Sequence, residues 1–183
     1  MSLIVVVGGR KSGKSSLAAR LAHDTVAPVT FVACADVQDD EFAARVARHR
    51  TDRPASWVTL ETFDVATVLA GTPGTVIVDA LDTWLLHEME SLGLWTEEPA
   101  DEAVANELLD RVAEIARAAA DRPPLTVVVA GTVGDGIHPM GVASRRYLDL
   151  HGLALQALAD RAERVLVTVA GRVIDAARFE ELP

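Results

Sequence analysis

Eight consecutive residues carry the first recognisable chemistry of the chain: Gly8, Gly9, Arg10, Lys11, Ser12, Gly13, Lys14 and Ser15, directly after the apolar run Leu3-Ile4-Val5-Val6-Val7. The spacing is G-x-x-x-x-G-K-[ST], and a buried strand running into a glycine-rich loop is the context that gives this pattern its physics. Glycines let backbone N–H groups close around phosphate oxygens, and the helix that follows points its positive dipole end at the same anion. Lys14 would reach the β- and γ-phosphates, and the Ser15 hydroxyl would ligate Mg²⁺. Gly8 through Ser15, with Ser16 in the first helical turn, form the expected nucleotide cradle. A tight glycine turn that binds nothing is the alternative. Strand, spacing, Lys and Ser all agree with a nucleoside triphosphate site.

A second group is Asp79, which ends the run Thr75-Val76-Ile77-Val78. A carboxylate at the tip of such a strand holds Mg²⁺ beside the loop serine in phosphate-loop proteins. Asp82 competes for that role, but reads better as the N-cap of the next helix. The third group is Arg45, Arg48 and His49, at i, i+3 and i+4, and so on one helical face. Two adjacent guanidiniums favour the neutral imidazole, which is a nucleophile, while the arginines can neutralise a triphosphate under attack. A solvated basic helix end, with Glu41 and Arg45 as an i,i+4 pair, explains the same residues. The pattern alone leaves both open. His138 in a loop and His151 on a packed helix read as structural.

These groups need a scaffold, and the chain alternates strands with helices. Strands are expected at 3–7, 29–33, 57–60, 75–78, 125–130, 165–169 and 173–175. Helices are expected at 15–23, 41–50, 65–69, 101–120 and 142–162, with an amphipathic stretch at 83–92. In the long helix Val104, Leu108, Val112, Ile115 and Ala119 recur at helical spacing. The glycine-rich segment 131–140 is a candidate active-site loop. Strands alternating with helices imply an α/β fold, a mainly parallel sheet covered on both faces and ending in an antiparallel hairpin. Residues 1–183 read as a single domain.

Composition narrows the partners. The net charge of −10 argues against nucleic acid, whose phosphates demand clustered Lys and Arg. One cysteine, Cys34, excludes a disulfide framework and suits a reducing compartment. No apolar stretch approaches the ~20 residues of a membrane span, and no charged leader precedes the first strand, so a cytoplasmic protein is expected. Leu92, Leu94 and Trp95 suit either a subunit contact or a core.

Further residues carry a resemblance. The chain is similar to the bifunctional adenosylcobinamide kinase/adenosylcobinamide-phosphate guanylyltransferase family of cobalamin assembly. The resemblance rests on the glycine-rich loop, on Asp39-Asp40-Glu41 leading into Ala44-Arg45-Val46-Ala47-Arg48-His49-Arg50, and on Arg53-Pro54-x-x-Trp57. Val76-Ile77-Val78-Asp79 followed by Leu81-x-Thr83-Trp84-Leu85 also matches, as do Val133-Gly134-x-Gly136-Ile137-x-Pro139 and the helix with Arg145, Asp149 and Gly152. The resemblance implies a phosphate-loop fold in which His49 attacks the α-phosphate of GTP and passes GMP to adenosylcobinamide phosphate, giving adenosylcobinamide-GDP. It also implies a kinase step from ATP or GTP to adenosylcobinamide, with Lys14, Ser15, Asp79 and Mg²⁺ serving both. It suggests a homo-oligomer, with a trimer as the expected state. The chain departs from the family pattern at Gly131-Thr132, where relatives carry Asn-Glu, near His87, where they carry Asn, and at Leu155, again for Asn. A divergent phosphate-loop nucleotide-binding protein, or a small-molecule kinase without corrinoid guanylyltransferase activity, is the alternative reading.

Overall fold

In the computed structural model, residues 3–34, 54–134, 136 and 138–176 are described. The order of elements is β1 Leu3–Gly8, α1 Lys14–His23, β2 Val29–Ala33, β3 Val58–Glu61, α2 Val65–Gly71, β4 Thr75–Asp79 and α3 Leu81–Ser91. It continues with α4 Glu102–Asp121, β5 Thr126–Gly131, α5 Val142–Ala159, β6 Arg164–Val169 and β7 Arg172–Asp175. Among the described residues the strands form one sheet in the order β3-β2-β4-β5-β1-β6-β7. Every pairing is parallel except β6 with β7.

Burial on both faces explains why β1 reads as an unbroken apolar run. Side chains alternate across a strand, so Ile4 and Val6 join Leu17, Ala18 and Ala22 of α1 on one face. Leu3, Val5 and Val7 join Leu81, Leu85, Leu108, Val112 and Leu158 on the other. The expected helix at 15–23 is α1, and the amphipathic stretch at 83–92 is α3, which begins two residues earlier, at Leu81. The expected helix to residue 162 ends at Ala159 because the chain tightens there: Arg161 N–H donates to Leu158 O and Ala162 N–H to Ala159 O. Leu94 is fully buried and Leu92 packs against the core, whereas Trp95 is half exposed and stands edge-on to Tyr147.

Arg122, just beyond α4, holds the far edge of the sheet together. Its buried guanidinium donates to Thr72 O at 2.6 Å, Gly74 O at 2.8 Å and Thr126 Oγ1 at 3.0 Å. Burial pushes its pKa below the ordinary arginine value.

Candidate active site

In a parallel sheet the strand ends that carry ligands all lie along one edge. Gly8 at the end of β1 is level with Gly131 at the end of β5, and Asp79 at the end of β4 is level with Val129. The glycine-rich loop, Asp79 and the segment from Gly131 therefore share an edge, with β5 between β1 and β4.

The loop leaves β1 at Gly8 and enters α1 at Lys14. Lys11 and Gly13 take φ of 58° and 102°, left-handed values that glycine accommodates and that Lys11 adopts within the turn. Ser12 N–H donates to Gly9 O at 3.2 Å, and the Lys14 ammonium donates to the same carbonyl at 3.3 Å. Arg10, Lys11 and Ser16 are exposed, while Ser15 and Lys14 are partly buried. The cradle residues are thus assembled in one turn at the start of α1.

Thr132 donates its N–H to Gly8 O at 3.1 Å, and its Oγ1 would lie 3.7 Å from a Cβ on Gly9. It stands beside the loop through its backbone.

Asp79 is partly buried and is followed by a cis peptide bond to Ala80. Asp82 corrects the expectation of an N-cap. Ala80 occupies the cap position of α3 and Asp82 falls in the first turn, because the helix starts directly after the strand. The Asp82 carboxylate instead accepts the Gly131 N–H at 2.9 Å, across from α3 to the end of β5. Burial first, and then the charges of Asp79 and Asp82, push the Cys34 thiol far above its usual value. Cys34 is a buried, protonated side chain.

His151 is buried on α5, and its Nε2 has no hydrogen-bond partner among the described residues. Burial lowers its pKa, against a raising effect from Asp82. Tyr147, one turn earlier, donates its hydroxyl to Asp82 O at 3.1 Å. His138 is exposed. His87 is stacked on Phe63, with ring centroids 3.7 Å apart and planes within 6°. The pair borders a cavity of about 420 Å³ that Asp64, Trp84, Glu88 and Arg111 also line. Leu155, on α5, packs against the core.

Arg45, Arg48 and His49 lie outside the described residues. So does the Asp39-Asp40-Glu41 block. Sequence reasoning missed Asp82 as the acceptor that ties α3 to β5, Arg122 as a buried tie, and Thr168, which reaches the glycine-rich loop from β6. Only the carboxylate of Asp82 had been weighed, and no local pattern marks the other two.

The model of the family described as cobinamide kinase / cobinamide phosphate guanyltransferase matches residues 4–176. A bifunctional adenosylcobalamin biosynthesis protein, CobP, from Pseudomonas aeruginosa is 37% identical over 171 residues, covering 91% of this chain and 92% of its own. The CobU protein of the same description from Salmonella typhimurium is 34% identical, covering 92% of this chain and 96% of its own. That from Escherichia coli is 30% identical over the same shares. Among solved structures, a prototypical ATPase from the type III secretion system of pathogenic bacteria aligns with a TM-score of 0.60 at 10% identity, over 91% of this chain and 50% of its own. The EscN ATPase of enteropathogenic E. coli aligns with a TM-score of 0.57 at 11% identity, over 92% of this chain and 43% of its own. The chain spans about half the length of these two ATPases, and the likeness is one of fold.

Proposed function

The chain belongs to the cobinamide kinase / cobinamide phosphate guanyltransferase family, a group of kinases and nucleotidyltransferases of cobalamin biosynthesis, and we propose that it performs both reactions from one nucleotide cradle, Gly8 to Ser16. The observation that carries the reading is the family match over residues 4–176, a span that includes the glycine-rich loop, Asp79 and the sequence block with Arg45, Arg48 and His49.

In the kinase reaction the loop amides and Lys14 hold the triphosphate while the γ-phosphoryl group passes to the hydroxyl of adenosylcobinamide. In the second reaction His49 attacks the α-phosphorus of GTP. The phosphorus–oxygen bond to pyrophosphate breaks as the nitrogen–phosphorus bond forms, and GMP then passes to the phosphate of adenosylcobinamide phosphate. Splitting the transfer into two displacements is the advantage of covalent catalysis. Arg45 and Arg48 neutralise charge on the nucleotide under attack.

Ser15 and Asp79 would hold Mg²⁺. Their hydroxyl and carboxylate oxygens are the hard donors this cation takes, and it keeps most of its shell as water and phosphate oxygen. A larger protein cage is unnecessary, and among the described residues no cluster of three or more His, Cys, Asp or Glu is arranged to hold a metal. Bound there, the cation would offset phosphate charge.

Among the described residues no helix is long and apolar enough to cross a membrane. We place the protein in the cytoplasm, as one domain that assembles into a homo-oligomer, with the trimer as the expected state.

Incubation with GTP labelled at the α-phosphate tests the covalent step. The expected result is a labelled protein whose label is acid-labile and alkali-stable and is lost in His49→Ala. Full labelling of His49→Ala would overturn the assignment. An unlabelled wild type that still phosphorylates adenosylcobinamide would reduce the protein to a kinase.

A further inference from the structure

We infer that the C-terminal hairpin, β6 and β7, is a positioning element for the glycine-rich loop, that Thr168 is the residue that sets it, and that the Ser12 hydroxyl belongs to this brace rather than to the phosphates. The inference rests on the reading of Gly8–Ser16 as a triphosphate cradle.

Thr168 is buried on β6, the strand next to β1 on the side away from β5. Its Oγ1 lies 2.7 Å from Ser12 Oγ and donates to Val7 O at 3.2 Å. A hydroxyl has one proton. Assigning the Thr168 proton to Val7 O, which can only accept, makes Ser12 the donor of the 2.7 Å bond. The Ser12 side chain, itself buried, therefore spends its only donor on the sheet. A phosphate oxygen accepts hydrogen bonds and offers none, so it gains nothing from the remaining lone pairs.

The Ser12 backbone is engaged from the same direction. Gly171 N–H donates to Ser12 O at 3.1 Å from the tip of the hairpin. Ala170 and Gly171 take φ of 49° and 73°, positive values at both central residues, the turn that suits the twist of a two-residue hairpin. Gly171 Cα also stands 3.8 Å from where a Cβ on Gly13 would be. At the other end of the hairpin, Arg164 Nη2 and Asp175 Oδ2 pair at 2.8 Å. Gly8 completes the arrangement: a Cβ there would fall inside the Thr168 hydroxyl, so the loop leaves β1 pressed against β6. The hairpin thus holds the loop at Gly8, Ser12 and Gly13, leaving its outer amides to the ligand.

A loop held in place before binding avoids the ordering cost that a slack loop incurs with each ligand. Removing the Thr168 hydroxyl should therefore weaken anion binding in a protein that still folds. Thr168→Val keeps the shape and suits a strand, and Thr168→Ser keeps the hydroxyl. Titration calorimetry with GTP and with inorganic tripolyphosphate reads the effect, beside the thermal midpoint of each variant. Thr168→Val is expected to raise both Kd values about tenfold, the scale of one lost buried hydrogen bond, while Thr168→Ser stays within about twofold of wild type. Ser12→Ala should match Thr168→Val, and the double variant should be no weaker than either single one, since one hydroxyl pair is at stake.

Unchanged Kd values in Thr168→Val and Ser12→Ala would overturn the inference. So would losses that add in the double variant, or a loss that Thr168→Ser fails to rescue while its midpoint is that of wild type. A wild type that binds neither ligand would overturn the triphosphate reading itself, and this inference with it. If Thr168→Val does not fold, Ser12→Ala against Thr168→Ser decides the matter.

Discussion

The carboxylate of Asp82 accepts the backbone N–H of Gly131 at 2.9 Å, joining the first turn of α3 to the end of β5 across 49 positions of sequence. The next amide, that of Thr132, donates to Gly8 O. Two successive N–H groups at the end of β5 therefore connect the first turn of α3 to the loop that begins at Gly8.

That connection makes Gly131 a sensitive position. A Cβ there would lie 3.2 Å from Asp82 Oδ2, close enough that the carboxylate must yield. Gly131→Ala is expected to destabilise the protein by about 1 kcal/mol, and by markedly less in an Asp82→Ala background, where nothing is crowded. Denaturant unfolding of the two singles and the double measures the coupling; equal costs in both backgrounds would refute it.

Lys14 anchors the cradle end of the same edge. Lys14→Ala should lower the rates of phosphoryl transfer and of GMP transfer at least about 100-fold each, because in the proposed function one ammonium holds the triphosphate in both reactions. Assays of each half-reaction with a shared preparation check this. Loss of one activity alone would indicate two separate nucleotide sites.

Stability should respond to pH through His151. Burial holds its folded pKa below the ordinary 6.5, so below that pH the unfolded chain binds a proton that the folded protein resists. The unfolded state then gains, and stability falls as pH drops through and below 6.5; above it, both states are neutral and the contribution is flat. His151→Leu, which removes an Nε2 that has no hydrogen-bond partner among the described residues, should leave stability at pH 7.5 within about 1 kcal/mol of wild type and flatten the decline toward pH 5. Thermal midpoints of the two proteins across that range provide the comparison, and parallel declines would exclude His151 as a cause.

Arg122 is a stability residue with no reach to the active edge. Arg122→Met would leave Thr72 O and Gly74 O without their buried donor, at an expected cost of about 2–4 kcal/mol. Nucleotide affinity of the folded fraction should stay at the wild-type value.

The parts of the molecule legible from sequence are those whose physics is local. The run Leu3–Val7 declares a strand buried on both faces, and the spacing from Gly8 to Ser15 declares a glycine-rich turn from that strand into a helix. Asp79 could be placed at the sheet edge because it ends an apolar run. The start of α3 was less legible. Asp82 has the residue type of a cap, but the helix begins straight after the strand, so Ala80 holds that position and the carboxylate is turned to Gly131.

What tertiary structure alone decided is which strand ends stand together. The order β4-β5-β1-β6 sets Asp82 against Gly131, Thr132 against Gly8 and Thr168 against Ser12, the last pair 156 residues apart. Composition and periodicity report which faces are buried, and a motif reports the chemistry of its own few residues. Neither reports the lateral order of parallel strands, because every β–α–β crossover presents the same alternating pattern whichever neighbour it pairs with. The spacing of Gly8–Ser15 was therefore legible in the chain itself, and its contacts with Thr132 and Thr168 emerged only when the sheet was assembled.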